Sequence, residues 1–144
     1  MEARVVDQRH SLEEILSLLK SNNLPHQDIQ LENNLFASYH DENGKVIGSG
    51  GLEFYSSYAL LRSVAVDQTK RGKAFGKEIV QDLLTRAKNK SIKEIFLLTE
   101  TAHDFFLRRG FTDIGREHVP AEVKASSEFA SVCPLSAACM VYRF

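Results

Sequence analysis

The chain has 144 residues, 43% of them hydrophobic, which suits one globular domain spanning 1–144 with a sizeable core and is short for two. Eighteen Lys and Arg against nineteen Asp and Glu leave a formal charge of −1, which excludes a whole-domain basic field for nucleic acid or an anionic membrane. The start, MEARVVDQRHS, has no apolar leader core, no stretch nears the ~20 apolar residues of a membrane span, and two cysteines are too few for a disulfide framework, so a soluble, cytoplasmic protein is expected.

ARVV at Ala3 to Val6 is a short strand candidate. SLEEILSLLK then opens with a capping box, Ser11 and Glu14 exchanging amide hydrogen bonds, and predicts a helix that fades at Asn22 and Asn23. Leu35 to Tyr39 and Val46 to Phe54 are extended runs around DENG, where Asn43 and Gly44 tolerate the positive φ of a tight hairpin. YSSY turns the chain into ALLRSVAV, a mostly apolar strand of the type buried on both faces. Beyond the next turn Phe75, Ile79, Val80, Leu83, Leu84 and Ala87 recur at helical spacing. IFLLT at Ile95 to Thr99 is a second buried strand, and TAHD begins a helix that ends at Gly110. FTDIGRE and CMVYRF are closing strands, with Pro120 as a first helical residue between them. Strands and helices in this order predict an α/β fold, a mixed sheet with helices on both faces.

TKRGKAFGK, residues 69–77, gathers Lys70, Arg71, Lys73 and Lys77 around Gly72 and Gly76 where a buried strand enters a helix. Unpaired amides at a helix amino terminus, a positive dipole end and glycines that admit close approach suit phosphate. A solvated basic turn is the plain alternative. A P-loop is excluded, because three residues rather than four separate Gly72 from Gly76-Lys77 and Glu78 follows.

In this setting VAVDQTKRGKAFGKEIV resembles motif A of the GCN5-related N-acetyltransferases (GNAT), Gln/Arg-x-x-Gly-x-Gly/Ala, with Gly72 and Ala74 in the last two places and Thr69 in the first. TAHDFFLRRGF is similar to motif B, Ala-x-x-hydrophobic-Tyr-x-x-x-Gly-Phe, through Ala102, Phe105, Gly110 and Phe111. The resemblance implies the GNAT fold: a mostly antiparallel mixed sheet, a central parallel pair that splays, and helices on both faces. It implies acetyl-CoA as cosubstrate, with the amides of Arg71, Gly72, Lys73, Ala74, Phe75 and Gly76 cradling the pyrophosphate and Lys77 beside them. Val64, Ala65 and Val66 would pair with the pantetheine arm, Phe106 would also meet the coenzyme, and an amide in the Val64–Ala65 region would stabilise the thioester oxyanion.

Attack by an amine needs a base, and the leaving sulfur can use an acid. The tyrosine that supplies the acid in much of the family is replaced by Phe106. Two readings follow: an active enzyme that needs no acid there, or an inactive fold that senses acetyl-CoA. Glu53 is the nearest base candidate, with Arg62 almost opposite; an ordinary cross-strand ion pair between them is the alternative. The catalytic version gives Arg62 an anionic group of the substrate. Glu100, after IFLLT, is a second candidate at the same gap, and His103 reads as a surface residue.

LLTETAHDFF with EFASVCPLSAACM resembles, more narrowly, the ArsN-type arsenic-resistance N-acetyltransferases. That implies acetylation of an organoarsenical or phosphinic amino acid, which Arg62 suits by bidentate binding of a carboxylate or phosphinate. Arsenite held between Cys133 and Cys139 is a further reading, opposed by the ~20 Å that six extended residues span. No zinc spacing is present, so no metal is expected. The expected partner is a small-molecule amine, and a homodimer is compatible with the resemblance. The alternatives are a non-catalytic acetyl-CoA sensor and a protein amine acetyltransferase.

Overall fold

The computed structural model describes residues 1–7, 9–72, 74–132 and 135–144. In chain order the elements are β1 (Glu2–Val5), α1 (Arg9–Ser21), β2 (Leu35–His40), β3 (Val46–Tyr55), β4 (Tyr58–Val66), α2 (Phe75–Asn89), β5 (Glu94–Thr99), α3 (His103–Arg108), β6 (Thr112–Asp113), α4 (Ala121–Lys124) and β7 (Ala138–Arg143). Short 3-10 turns cover Gln68–Lys70 and Arg116–His118, and a π-helical turn covers Glu128–Val132. The strands form one seven-stranded sheet in the order β1-β2-β3-β4-β5-β7-β6. Among the described residues only the central β4–β5 pair is parallel, joined by the α2 crossover. This is the fold class that the sequence predicts.

Alternation along the strands divides the core. Ala59, Leu61, Ile95, Leu97 and Met140 bury one face against Ile79, Val80, Leu83, Leu84 and Ala87, the apolar stripe of α2. Leu60, Phe96, Leu98 and Val141 bury the other against Val123 of α4 and Phe129. On that second face Phe36 and Ala65 pack with Leu12, Ile15 and Leu19 of α1. Each fully buried leucine contributes about 1.5–3 kcal/mol, so the α2 stripe holds that helix on the sheet without help from caps. Glycines in β3 let it sit low: a Cβ on Gly50 would lie 2.4 Å from Leu83 Cδ1.

Several local expectations change. α1 starts at Arg9, so Ser11 lies inside the helix and the Ser11–Glu14 box is not its cap. In the DENG hairpin only Gly44 has positive φ, at 80°; Asp41 instead organises the turn by accepting from the amides of Asn43 and Lys45 at 2.9 and 3.0 Å. Pro120 occupies the cap position of α4 rather than its first turn. β6 is two residues long and lies outside β7 at the sheet edge.

Two irregularities of β4 shape the gap between the central strands. Between the pairs Gly51↔Arg62 and Ser49↔Ala65 it carries one residue more than β3, and Ser63 takes φ 61° to absorb it. The Ser49 hydroxyl donates to the Ser63 carbonyl at 2.7 Å, which satisfies a group the bulge would otherwise strand. Pairing with β5 runs from Tyr58↔Glu94 to Leu60↔Phe96 and stops, although both strands continue. Beyond Leu60 the two strands diverge.

Candidate active site

The divergence opens a cavity of about 800 Å3, lined by Val64, Ala65 and Val66 on one side and Leu98, Thr99 and Glu100 on the other. Asp67 donates its amide to Ile47 on β3 at 2.7 Å. Strand amides alternate in direction, so that of Ala65 also faces β3, while those of Val66 and Val64 face the gap. The amide free to meet a ligand in the Val64–Ala65 region is therefore that of Val64.

One end of the cavity is the turn before α2. The Asp67 carboxylate caps the 3-10 turn, accepting from the Thr69 amide and hydroxyl at 2.9 and 2.7 Å, which directs the Thr69 side chain back onto its own chain. Gly72 has φ 82°, with open space where a side chain would begin, and Ala74 has φ 62° at the cap of α2 with no side-chain cap bond. Outside the helical turns, the amides of Gly72, Ala74, Phe75 and Gly76 have no backbone partner among the described residues. These donors and the positive end of α2 face a cavity wall that also carries Lys70, Arg71 and Lys77. Lys73, expected in the same cradle, lies outside the described residues. Gly76 has a second reason to be glycine: a Cβ there would stand 3.3 Å from the Phe105 ring, so it lets α2 approach α3.

Sequence reasoning missed Arg108 and Arg109, which enter this wall from the end of α3; Arg109 stacks over Phe105 at 5.4 Å. Their place in FFLRRGF between two apolar anchors was the available signal. Phe106 lines the cavity while 7% exposed, its ring edge-on to Phe105 and Phe111 at centroid distances of 5.1 and 5.5 Å. The place of the family tyrosine is thus a packed aromatic wall.

The other end is ionic and buried. Arg62, 3% exposed, grips Asp28 with Nη1 and Nη2 at 2.5 and 2.7 Å, reaches Glu53 through Nη1 at 3.0 Å and lies 3.3 Å from Glu128 through Nε. Nε also donates to the Ser63 hydroxyl at 3.1 Å, at the bulge. Burial alone would lower the Arg62 pKa, but the Asp28 hydrogen bonds and the charges of Glu128, Asp28 and Glu53 raise it overall, so it stays cationic. Burial pushes the Asp28 pKa up, and hydrogen bonds from Arg62 and Ser127 more than reverse that, holding it below the usual carboxylate value. Tyr55 donates to Glu53 at 2.7 Å; burial first, then that carboxylate, pushes its phenol well up.

Arg62 and Glu128 line the cavity; Glu53, expected as the base, is not among the described residues that do. It is 5% exposed, held between Arg62 and Tyr55, so the cross-strand ion pair given as the alternative is present and buried. Asp28 lines a neighbouring recess of about 550 Å3, with Glu100 common to both. Glu100 itself is exposed at the end of β5. Asp28 and Glu128 escaped the sequence reading, though an arginine inside ALLRSVAV signals that carboxylates must be buried with it.

His103 lies at the surface and bonds Asp113 at 2.7 Å. Cys139 is buried, and burial raises its thiol pKa; Cys133, the other half of the metalloid reading, lies outside the described residues. Among the described residues no group of three or more His, Cys, Asp or Glu could hold a metal ion, and no helix is long and apolar enough to cross a membrane.

An amino-acid acetyltransferase of Mycobacterium tuberculosis is 42% identical over 89 residues, which cover 60% of this chain and 50% of that protein. The uncharacterized N-acetyltransferase CT2212 of Chlorobaculum tepidum is 31% identical over 100 residues, 69% of this chain and 62% of its own. The matched stretch is thus about half to three fifths of each of these relatives. Rv2747 from Mycobacterium tuberculosis, solved in complex with CoA and NLQ, superposes with a TM-score of 0.80 at 25% identity, covering 100% of this chain and 99% of that one. N-acetylglutamate synthase from Neisseria gonorrhoeae, complexed with coenzyme A and L-arginine, shares the fold at a TM-score of 0.80 and 15% identity, over 99% of this chain and 33% of its own. Residues 7–111 match the Acetyltransferase (GNAT) family, and with the splayed β4–β5 pair and its amide-lined turn, the chain belongs to that family.

Proposed function

We propose that this chain transfers the acetyl group of acetyl-CoA to the amine of a small molecule. The observation that carries the reading is one cavity that joins an amide-rich cationic turn, through a gap between parallel strands, to a buried ionic cluster. The cradle fits a pyrophosphate: Gly72 leaves its floor open, and Lys70, Arg71, Lys77, Arg108 and Arg109 supply counter-charge. Lys73 would add to it. Val64 to Val66 would hold the pantetheine arm by strand-like pairing. When bound, acetyl-CoA supplies an activated thioester.

The Val64 amide is the preorganised donor for the carbonyl oxygen as it gains charge, a contact stronger in the transition state than in the ground state. Phe106 offers no proton, so sulfur leaves as thiolate; a thiol of pKa near ~8.5 tolerates this. Glu53 supports Arg62 and Tyr55 rather than the acceptor.

The acceptor half is bounded by Asn22 to Pro25, Arg62, Glu100 and Glu128. An amino acid is the acceptor class that the relatives' names suggest. The ArsN-like stretches LLTETAHDFF and EFASVCPLSAACM narrow this to an organoarsenical or phosphinic amino acid, with a resistance role. For Arg62 to hold such an anion, the substrate must displace Asp28, whose side chain is 12% exposed. The test is a panel of amines, including L-glutamate, L-glutamine, phosphinothricin and arsenical amino acids, with thiol release as readout. Turnover on at least one is expected. Tight acetyl-CoA binding with turnover on none would replace the enzyme by a sensor.

A further inference from the structure

We propose that Arg108 and Arg109 form a second anion subsite, which binds the 3′-phosphate on the coenzyme's ribose and so selects acetyl-CoA over acetyl-dephospho-CoA; this rests on the acetyltransferase reading above. Both side chains line the cavity, and both lack what the other arginines have. Those of Arg4, Arg62, Arg71, Arg86, Arg116 and Arg143 each donate to an oxygen of the protein. Among the described residues, the side chains of Arg108 and Arg109 make no hydrogen bond or ion pair. The carboxylates of the same segment, Asp104 and Asp113, lie against His103 instead, at 3.5 and 2.7 Å. The forked donors of both guanidiniums are thus left for water or an anion.

The pair is also held in place. Phe106 and Phe111, 7% and 1% exposed, anchor the chain on either side, and Gly110 turns it out of α3 at φ 99°. Arg109, half-buried, carries its Cζ 5.4 Å from the centre of the Phe105 ring, which stations the guanidinium over that face. Phe105 in turn meets the first turn of α2, where a Cβ on Gly76 would stand 3.3 Å from the ring. The arginines therefore flank the amide-rich turn without belonging to it.

Acetyl-CoA carries a pyrophosphate and, on the ribose, a separate phosphate monoester. The turn's amides with Lys70, Arg71 and Lys77 can serve the pyrophosphate. The monoester, with a second pKa near ~6, is largely a dianion at neutral pH and calls for counter-charge of its own. One ribose joins it to the pyrophosphate, so its partners must adjoin the cradle, as this pair does. Guanidinium forks match phosphate oxygens in geometry as well as charge.

Calorimetry with acetyl-CoA and with acetyl-dephospho-CoA tests this without turnover. Wild type should bind acetyl-CoA at least ~10-fold more tightly. In the double variant Arg108→Gln with Arg109→Gln, acetyl-CoA should weaken until the two ligands lie within about threefold of each other, while acetyl-dephospho-CoA keeps its affinity. Equal affinities in wild type overturn the proposal and leave the acetyltransferase reading standing. An equal loss for both ligands in the variant also overturns it, by assigning the arginines to the pyrophosphate. Failure of wild type to bind either ligand removes the cradle reading together with this one. Phosphorus NMR supplies a readout that needs no variant: bound to wild type, the 3′-phosphate should titrate at least ~0.5 pH unit below its midpoint in the free coenzyme, because adjacent cations favour the dianion. A midpoint unmoved on binding overturns the assignment.

Discussion

The turn before α2 lines the cavity with near-consecutive residues, among them Lys70, Arg71, Gly72 and Lys77, the cations reaching solvent, whereas the cluster around Arg62 draws Asp28, Glu53 and Glu128 from three other segments, the two glutamates buried and Asp28 half-buried. The turn's cations stay hydrated, so they cost the fold little and their charge is available to a ligand. In the cluster Arg62, Glu53 and Glu128 have been taken out of water and Asp28 largely so, and these charges are tolerable only while their partners remain. Binding at the first end can therefore be altered with the fold left standing. At the second, the fold's stability and the proposed acceptor end of the cavity share the same atoms.

The hardest test of this contrast is Arg62→Ala, which removes the cation shared by the buried Glu53 and Glu128 and the half-buried Asp28. A loss of about 3–5 kcal/mol is expected in denaturant unfolding, with Tm lower by roughly 10 °C, so acceptor kinetics must be compared where the variant is folded. A variant as stable as wild type would show that the cluster is not structural.

Gly72→Asp probes the opposite end. A side chain at φ 82° costs the fold about 1 kcal/mol, while a negative charge in the cradle should weaken acetyl-CoA by at least ~100-fold in calorimetry. Unchanged affinity in the folded variant would remove the turn from the site.

Asp28→Asn tests the cluster by pH, with a smaller expected effect. The folded pKa of Asp28 lies below its ordinary 3.8, so its ionised form stabilises the protein above that pH and the contribution is lost as pH falls through the folded value. Wild type should exceed the variant in stability at pH 6, and the gap should close below about 3.8. A gap that stays constant across acid unfolding would mean that Asp28 acts through packing rather than charge.

Phe106→Tyr should change least. The ring keeps its packing and gains a hydroxyl at the cavity wall, so thiol release should remain within about threefold of wild type or rise modestly. A large fall at normal coenzyme affinity would show that Phe106 packs against the acceptor.

How much of this could be read in advance follows the same division. The α2 stripe, the buried strands ALLRSVAV and IFLLT, and the glycine-bearing cationic turn all declare themselves because their signals lie within a few residues of one another. Capping was less dependable: α1 runs through Ser11, since burial of Leu12, Ile15 and Leu19 outweighs the ~1 kcal/mol of a cap. The DENG turn was legible as a turn, but its geometry depended on the Asp41 side chain.

The order of strands and helices, the family pattern and the glycine-bearing cationic turn could all be read from the residues alone, because periodicity, turn chemistry and helix-end polarity act over short stretches of chain. Tertiary structure alone decided that β4 bulges at Ser63 and parts from β5 after Leu60, that the Val64 amide rather than that of Ala65 faces the gap, and that Glu128 rather than Glu53 stands in the cavity wall. Arg62 announces that it needs buried anions, but which carboxylates supply them depends on distant segments closing over the sheet, and burial strengthens charge interactions only once those segments have met.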